Sequence, residues 1–479
     1  MSVATSFEVI EPATGAPLAQ VAACGEAEVD AAVAAARRAF EEDWRWHSPQ
    51  ERGALLKEVA ARIREHADEL ATLLTRENGK PVRDSRAFDV EFSHRLFDYF
   101  ASLTETLHGK LLAQGPINAE IEYEPYGVVA AILPFNWPPI HFGNKCAAAL
   151  AAGNTVVIKP GEQAPLTVLR LVELANEVLP AGVLNAVTGI AAGPPLSSHP
   201  GIDRITFTGS TGTGRRVLQG AAQSIVPATM ELGGKNALIV FEDADLDAAL
   251  KGALDGMFFN KGEACTSTAR ILVHDSVHDR LLERFAAATE RLTVGDGLDA
   301  GTDIGPVVDQ TQRDRIRGYL DLVEQEGARI VAQAPLPEDP RLAGGYFIAP
   351  TVVADVAPGS RLALEEIFGP VACFMRFSED EEALAIANET EYGLTAAFFT
   401  QDRRRTEWLV PRLEAGIVFV NNYFRGSMLG SPFGGNKASG FGREQTDETL
   451  WDFVRPKNVR YPRGDAAIPH WATAEKVWD

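Results

Sequence analysis

Apolar residues recur at helical spacing through the N-terminal part of the chain. They recur first at Val29, Val33, Ala36 and Phe40, and then along a longer segment from Leu55 to Leu74. Spacings of three and four residues place such side chains on one face of a helix. We therefore predict amphipathic helices in this region, each with one face packed against the rest of the molecule.

After residue 127 the pattern changes to short apolar runs that alternate with helical stretches. The predicted strands are VVAAIL (128–133), TVVIK (155–159), VLNAVT (183–188) and RITFT (204–208), and helices are predicted near 165–178 and from Gly212. Strands and helices that alternate at this spacing form a parallel sheet with both faces covered. The pattern thus predicts a doubly wound α/β unit.

A second series of the same kind follows ELGG (231–234). Strands are predicted at NALIVF (236–241), RILVH (270–274), 347–354, 371–377 and AAFFT (396–400), with helices from Asp245 and near 277–292, 310–327 and 380–390. This series predicts a second α/β domain. The last residues, 463–479, have little periodicity, which favours an irregular tail.

Charge and cysteine usage exclude several classes of function. The formal net charge is −21, from 45 basic and 66 acidic residues, which disfavours nucleic acid and anionic membrane surfaces as partners. No apolar stretch approaches the ~18 residues that span a bilayer, and the first residues do not resemble a signal peptide. The four cysteines are far apart and form no CxxC pair. We therefore expect a cytoplasmic protein.

One cysteine lies in an unusual setting. Cys265 stands in NKGEACTSTAR (260–270), whereas most free cysteines are small buried hydrophobes. Its small neighbours, among them Gly262, Ala264 and Thr266, leave the sulfur accessible. No second cysteine or histidine lies nearby at ligand spacing, so a metal site is not expected. The remaining chemical reading is a nucleophilic thiolate.

Two further residues offer chemistry that a nucleophile needs. Glu231, in MELGGKNALIVF (230–241), ends a strand-like run before two glycines that permit close approach. Asn136 lies in a proline-flanked turn, PFNWPP (134–139). A turn asparagine is usually structural, but its amide can also donate to a developing oxyanion. A lone glutamate is usually a solvated carboxylate, so neither residue is decisive by itself.

Two loops after predicted strands favour a dinucleotide. FTGSTGTGRRV (207–217) reads as strand, turn and helix start, an arrangement that directs backbone N–H groups at a phosphate. It lacks the GxGxxG spacing and is a weak to moderate signal alone. VIKPGEQAP (157–165) places Lys159 and Glu162 after the neighbouring strand, at the edge where a doubly wound sheet binds its ligand.

Taken together, the motifs resemble the NAD(P)-dependent aldehyde dehydrogenase superfamily. In order along the chain they are PFNWPP, IKPGEQAP, FTGSTGTG, MELGGKNALIV, NKGEACTSTAR, LEEIFGPV and SPFGGNKASGFGRE. The resemblance extends from residue 8 to about residue 460. It implies an α/β fold with a Rossmann-like doubly wound cofactor domain (1–110 and 128–232), a second α/β catalytic domain (233–445), and a small β oligomerisation flap with a tail (111–127 and 446–479).

The resemblance also implies roles for individual residues. Cys265 is the expected nucleophile, Asn136 and the Cys265 backbone N–H the oxyanion hole, and Glu231 the residue that activates the hydrolytic water. The expected cofactor-site residues are Lys159 and Glu162 at the adenosine ribose, Gly209 and Ser210 at the pyrophosphate, Glu366 at the nicotinamide ribose, and Phe135, Leu232 and Phe368 around them. NAD is expected rather than NADP, because Glu162 would repel a 2′-phosphate. Lys159 leaves use of NADP open.

The substrate and the assembly are the least specified properties. The expected tunnel residues are Trp137, His141, Asn144, Arg425 and Phe433, and three of them favour a polar or acidic aldehyde. We expect a homodimer or homotetramer formed through strands at 117–127 and 451–462, with the tail on a neighbouring subunit. Glu263 departs from the glutamine common in the family, and a carboxylate there would tend to raise the thiol pKa. The alternatives are a relative that transfers the acyl group to coenzyme A and a silent structural relative, although Cys265, Glu231 and Asn136 are all present.

Overall fold

A computed structural model describes residues 6–424, 428–465 and 467–478. Among the predicted site residues, Arg425 lies outside the described residues. The described part contains two large sheets, a three-stranded sheet and two small ribbons.

The first large sheet has six strands. Their spatial order is Gly440–Phe441, Ala228–Glu231, Arg204–Thr208, Val128–Ile132, Thr155–Lys159 and Leu184–Ala186. All neighbours are parallel except the first pair, which is antiparallel. Side chains alternate between the faces of a strand, so Val128 and Ala130 pack into one apolar cluster while Val129 and Ala131 pack into another. The predicted doubly wound arrangement is confirmed.

The second large sheet has seven strands. Their order is Arg329–Gln333, Thr351–Ala354, Val371–Phe377, Arg270–His274, Ala237–Val240, Thr395–Phe399 and Ile417–Val420. Only the first pair is antiparallel among these described strands. Leu238 and Val240 face one apolar cluster, and Ala237 and Ile239 face the other. Residues 232–236 connect the two sheets directly, which brings Glu231 close to the start of the second unit.

The remaining strands lie outside the two large sheets. Ile117–Pro125 is the central strand between Lys110–Gln114 and Val454–Pro462, and both pairings are antiparallel. Ser6–Glu11 pairs with Ala16–Ala22, and Tyr392–Gly393 pairs with Asn436–Lys437.

Helices cover both large sheets. The α-helices of the N-terminal half are Glu26–Glu42, Pro49–Glu65, Ala67–Asn78, Val82–Asp84, Glu91–Leu103, Pro138–Phe142, Ala148–Ala151, Leu166–Asn176, Gly193–Ser198 and Thr211–Gln223. Those of the C-terminal half are Leu246–Phe258, Asp275–Thr289, Gln310–Leu320, Arg361–Leu364, Asp380–Asn388, Arg403–Leu409, Glu448–Trp451 and Ala472–Trp478. Two π-helical segments, Ser85–Val90 and Gly143–Ala147, interrupt this pattern. Within the described ranges, no helix combines the length and apolarity needed to cross a membrane.

Several predicted elements differ from the structure at their ends. The helix predicted near 310–327 ends at Leu320, and the strand predicted at 347–354 is only Thr351–Ala354. The tail contains the short helix Ala472–Trp478. Seven residues are too few to show a helical period in the sequence. The N-terminal ribbon was not predicted, because its strands are mostly half-exposed and show no clear alternation.

Candidate active site

Five parallel strands of the first sheet end at one edge, and six of the eight predicted cofactor residues lie at or just after the ends of four of them. Phe135 and Asn136 follow Val128–Ile132, and Gly209 and Ser210 follow Arg204–Thr208. The strands Thr155–Lys159 and Leu184–Ala186 follow Val128–Ile132 on one side in the sheet. The next strand, Arg204–Thr208, pairs with the opposite side of Val128–Ile132. Loops on either side of such a switch point diverge and leave a crevice for a ligand.

A cavity of about 120 Å³ occupies this crevice. Its walls include Phe135, Asn136, Gly209, Ser210, Leu232, Glu366, Phe368 and Cys265. The Phe135 and Phe368 rings meet edge to face with centroids 5.9 Å apart. A Glu366 carboxylate oxygen, Oε1, accepts a 2.9 Å hydrogen bond from the Gly234 N–H, and burial raises the pKa of Glu366. A Cβ on Gly233 would stand 2.5 Å from the other oxygen, so a side chain there would displace the Glu366 carboxylate.

The helix Thr211–Gln223 begins at this cavity. Ser210 caps it by accepting a 3.3 Å hydrogen bond from the Thr213 N–H. Its first turn carries no acidic residue, and a Cβ on Gly212 would have no atom within 4 Å. The positive end of the helix dipole is therefore open to an anion. The shape and the donors of this end fit a dinucleotide phosphate.

Lys159 and Glu162 lie together at the end of the next strand. Their side chains form an ion pair, and Lys159 Nζ also donates to the Pro160 carbonyl at 3.1 Å. Neither is among the described residues that line the 120 Å³ cavity. The pair thus lies at the edge of the sheet that the sequence predicts, but outside the lining of the small cavity.

The Cys265 loop has a constrained backbone. Asn260, Lys261 and Gly262 all have positive φ, at 52°, 62° and 67°. This conformation strains residues other than glycine, and it reverses the chain after Leu246–Phe258. Cys265, which is half-buried, follows that reversal. Its carbonyl accepts a 2.7 Å hydrogen bond from Asn236 Nδ2.

Hydrogen bonds connect Asn136 to the cysteine loop. Its Nδ2 donates to the Glu263 carbonyl at 3.2 Å, and its Oδ1 lies 3.3 Å from His141 Nε2. Asn260 Nδ2 bridges the carbonyls of Asn136, at 3.1 Å, and Glu263, at 2.9 Å. These contacts hold the Asn136 amide at a set position beside the loop.

Two buried lysines extend this network. Lys80 Nζ donates to the Asn136 carbonyl and to Asp89, both at 2.9 Å, and stacks 4.0 Å from the Trp137 ring centroid. Lys261 Nζ donates to Asn78 Oδ1 at 2.7 Å and lies 3.0 Å from the Glu263 carboxylate. Glu263 thus pairs with a lysine, and its other oxygen accepts from the Val308 N–H at 3.1 Å.

Glu231 ends its strand in a fully buried position. Neither carboxylate oxygen has a hydrogen-bond partner among the described residues, and a Cβ on Gly434 would stand 2.8 Å from Oε1. Burial and the nearby Glu444 raise the pKa of Glu231 well above its ordinary value, against the opposing effect of Lys145 and Arg443. Lys145 Nζ donates to Glu444 at 2.8 Å. Glu231 is absent from the described lining of both cavities around Cys265.

A larger cavity of about 350 Å³ lies on the other side of Cys265. The predicted tunnel residues Trp137, His141, Asn144 and Phe433 all line it. Phe88, Phe92, Phe419 and Phe424 line it as well. Cys265 lines both cavities.

The residues that sequence reasoning missed are mostly partners of predicted ones. They include Lys80, Lys145, Lys261, Glu444 and the phenylalanines of the larger cavity. Their signal is weak, because a single buried lysine or phenylalanine has no distinctive local pattern. Within the described residues no group of His, Cys, Asp and Glu is arranged to hold a metal ion.

Comparison with known proteins agrees with the fold and the motifs. The model of the aldehyde dehydrogenase family matches residues 1–459. Aldehyde dehydrogenase citD of Monascus ruber is 46% identical over 473 residues, which cover 98% of this chain and 94% of that protein. The putative aldehyde dehydrogenase from Burkholderia cenocepacia is 42% identical with a TM-score of 0.93, covering 96% of this chain and 97% of that one.

A further solved structure was determined with a ligand. PnpE in complex with nicotinamide adenine dinucleotide is 41% identical, with a TM-score of 0.94, over 97% of this chain and 96% of that one. An α/β protein of this architecture with these motifs belongs to a class of oxidoreductases. This chain belongs to the aldehyde dehydrogenase family, so the resemblance drawn from the motifs is confirmed.

Proposed function

We propose that the protein oxidises an aldehyde to the carboxylic acid with reduction of NAD. The observation that carries this proposal is that Cys265 lines two cavities, a larger and a smaller one. An enzyme that holds an aldehyde on a nucleophile while hydride passes to a cofactor must let both molecules reach that nucleophile. The larger cavity would admit the aldehyde, and the smaller one would hold the nicotinamide end of the cofactor.

The described residues fit the cofactor. The open start of Thr211–Gln223, with Gly209 and Ser210, would hold the pyrophosphate. Glu366 and Phe368 would contact the nicotinamide end, and the Lys159–Glu162 pair the adenosine ribose. When bound, NAD supplies the acceptor for the hydride that leaves the aldehyde carbon. The PnpE complex with NAD supports this choice, and the Glu162 carboxylate would disfavour NADP.

Cys265 and Asn136 would perform the first half-reaction. The Cys265 thiolate adds to the carbonyl carbon, and the carbonyl oxygen becomes an oxyanion. The Asn136 amide has one N–H directed at Glu263, which leaves its second N–H to donate to that oxyanion. Loss of hydride from the carbon restores the carbonyl as a thioester on Cys265.

Glu231 would serve the second half-reaction. Water adds to the thioester, its proton passes to the Glu231 carboxylate, and the Cys265 sulfur leaves as thiolate. A general base must be ionised before it accepts a proton, and the raised pKa of Glu231 makes it a stronger base once ionised. The overall balance is aldehyde, NAD⁺ and water giving acid, NADH and a proton.

We also propose the domain division predicted from the resemblance, with the three-stranded sheet as the oligomerisation flap. The acidic part of the substrate prediction depends on Arg425 alone, which lies outside the described residues. His141 and Asn144 support only a polar group, since neither carries a fixed charge.

Two substitutions test the division of labour between the half-reactions. Cys265→Ala should bind NAD yet form no NADH, because no covalent adduct can form. Glu231→Gln retains the side-chain shape but takes no proton from water, so rapid mixing should show up to one equivalent of NADH per site and then almost no turnover. Mass spectrometry should locate the acyl group on Cys265.

Coenzyme A distinguishes the alternative activity. If added coenzyme A increased turnover and captured the acyl group, the protein would be an acylating relative. A Glu231→Gln variant with full turnover would remove Glu231 from the mechanism. A variant with neither burst nor adduct, but normal NAD binding, would assign Glu231 to thiol activation.

A further inference from the structure

We infer that the larger cavity selects uncharged aldehydes that carry a ring system. The inference rests on the proposed function and adds the class of substrate. It depends on three observations of the cavity beside Cys265: aromatic walls, the lack of charge on the described walls, and its size.

Seven of the described residues that line the cavity are aromatic. They are Phe88, Phe92, Trp137, Phe419, Tyr423, Phe424 and Phe433. Near the inner end, the Phe88 ring lies 5.2 Å from the Trp137 ring and 5.2 Å from that of Phe259, which packs behind them. Tilted and edge-to-face rings at these spacings offer a further aromatic ring the same favourable geometry. A straight aliphatic chain gains only apolar contact from such walls.

The described walls carry no charged side chain. No Lys, Arg, Asp or Glu occurs among the described residues that line the cavity. The charges just behind the wall are paired, Lys80 with Asp89 and Lys145 with Glu444, each at 2.8 or 2.9 Å. A carboxylate on the substrate would lose its water without gaining a counter-ion from these walls.

The His141 side chain does not add a charge to the cavity wall at neutral pH. Burial, together with Lys145 and Lys80, lowers its pKa well below the ordinary value, so the imidazole is neutral. Because Asn136 Nδ2 donates to Glu263, Asn136 Oδ1 is the acceptor and His141 Nε2 is the donor in their contact. His141 and Asn144 are thus polar but uncharged parts of the wall, suited to a hydroxyl or ether on the ring.

The cavity volume allows more than one small substituent. Its 350 Å³ lies within the range of about 300–1,000 Å³ that is typical of small-molecule sites. Phe424 and Met428 line it and are 59% and 56% exposed, which marks the mouth, whereas Trp137 is 8% exposed. A ring near Trp137 with a substituent toward Phe424 fits this gradient.

Matched benzaldehydes test the selection for neutral substrates. Methyl 3-(4-formylphenyl)propanoate and 3-(4-formylphenyl)propanoate have similarly electrophilic aldehyde carbons, because two methylene groups separate the substituent from the ring, but only the second is charged. With the full-length enzyme and NAD, we expect kcat/KM for the ester to exceed that for the acid by at least about tenfold. A preference for 3-(4-formylphenyl)propanoate would overturn the inference and favour the acidic substrate; Arg425→Ala would then be expected to abolish it.

A ring-specific variant tests the aromatic wall. Phe88→Leu keeps an apolar side chain and removes the ring, so KM for 4-isopropylbenzaldehyde should rise about two- to tenfold while KM for hexanal changes less than twofold. Equal effects on both aldehydes, or none on either, would overturn the role of the rings. Absence of NADH with every aldehyde tested is a different result, since it would refute the proposed function itself.

Discussion

At the scale of single residues, the surroundings of a charged side chain shift its pKa and so set the pH range in which it acts. Glu231 is buried beside Glu444, and both that burial and that neighbour raise its pKa. A general base with a raised pKa is ionised only at higher pH, so the hydrolytic step should accelerate as pH increases through that pKa.

Glu444→Gln should shift the pH dependence of the hydrolytic step. The change removes a negative charge near Glu231 and leaves the positive charge of Lys145, and both effects lower the pKa of Glu231. The rise of the single-turnover hydrolysis rate should therefore move to lower pH. Glu448→Gln, on an exposed residue nearby in the sequence, is the matched control and should leave the profile in place. An unshifted pH profile in Glu444→Gln would mean that another group causes the rise of the hydrolysis rate with pH.

The Lys261–Glu263 pair permits a second prediction at the same scale. Both side chains are fully buried and lie 3.0 Å apart. Glu263→Gln leaves the Lys261 charge without its counter-ion and should lower the free energy of unfolding by about 3 kcal/mol. Adding Lys261→Gln removes that charge and should restore much of the loss. Urea unfolding measures both, and equal losses in the single and double variants would show that the unpaired Lys261 charge is not the cause of the loss.

At the scale of elements, the start of the helix Thr211–Gln223 and the loop before it form the proposed phosphate site. Gly212 offers a clean probe because a side chain there meets no atom within 4 Å. Gly212→Asp places a negative charge at the helix start and should raise the Kd for NAD about five- to tenfold. Gly212→Asn has the same shape without the charge and should bind nearly as the parent does. Equal weakening in both variants, measured by calorimetry, would mean that side-chain volume rather than charge is responsible.

At the scale of the whole molecule, the three-stranded sheet leaves an open edge. Lys110–Gln114 is exposed along its length, with Leu111 at 65% and Leu112 at 46%. An unpaired edge with apolar side chains favours pairing with another chain. We predict a dimer or tetramer in light scattering at micromolar concentration. Leu111→Lys should shift the population to smaller species, whereas Gln114→Lys on the same strand should shift it less. A monomeric parent protein would refute this prediction.

Much of the fold and several site features follow from local sequence. The run at 128–133 is apolar throughout and the run at 155–159 is apolar at its three central positions, which is typical of strands with both faces buried. The strand and glycine-serine turn at 207–217 predict the start of a helix, and the small residues around Cys265 predict access to the sulfur. Such features depend on neighbours within a few positions, so the sequence records them directly. The family, the α/β class and the doubly wound sheet were all predictable in this way.

Other properties depended on contacts between distant segments. Lys145 and Glu444 are 299 positions apart, yet their charges act on Glu231. The side chain of Glu263, which the sequence places near the thiol, is paired with Lys261 and with the Val308 N–H. The larger cavity draws its walls from residues near 88, 137, 419 and 433. Electrostatic and packing energies depend on distance in space, and no local pattern encodes which remote side chains will meet. The sequence by itself therefore determined the family, the class of fold and the candidate catalytic residues, whereas only the tertiary structure decided how those residues are charged, held and enclosed.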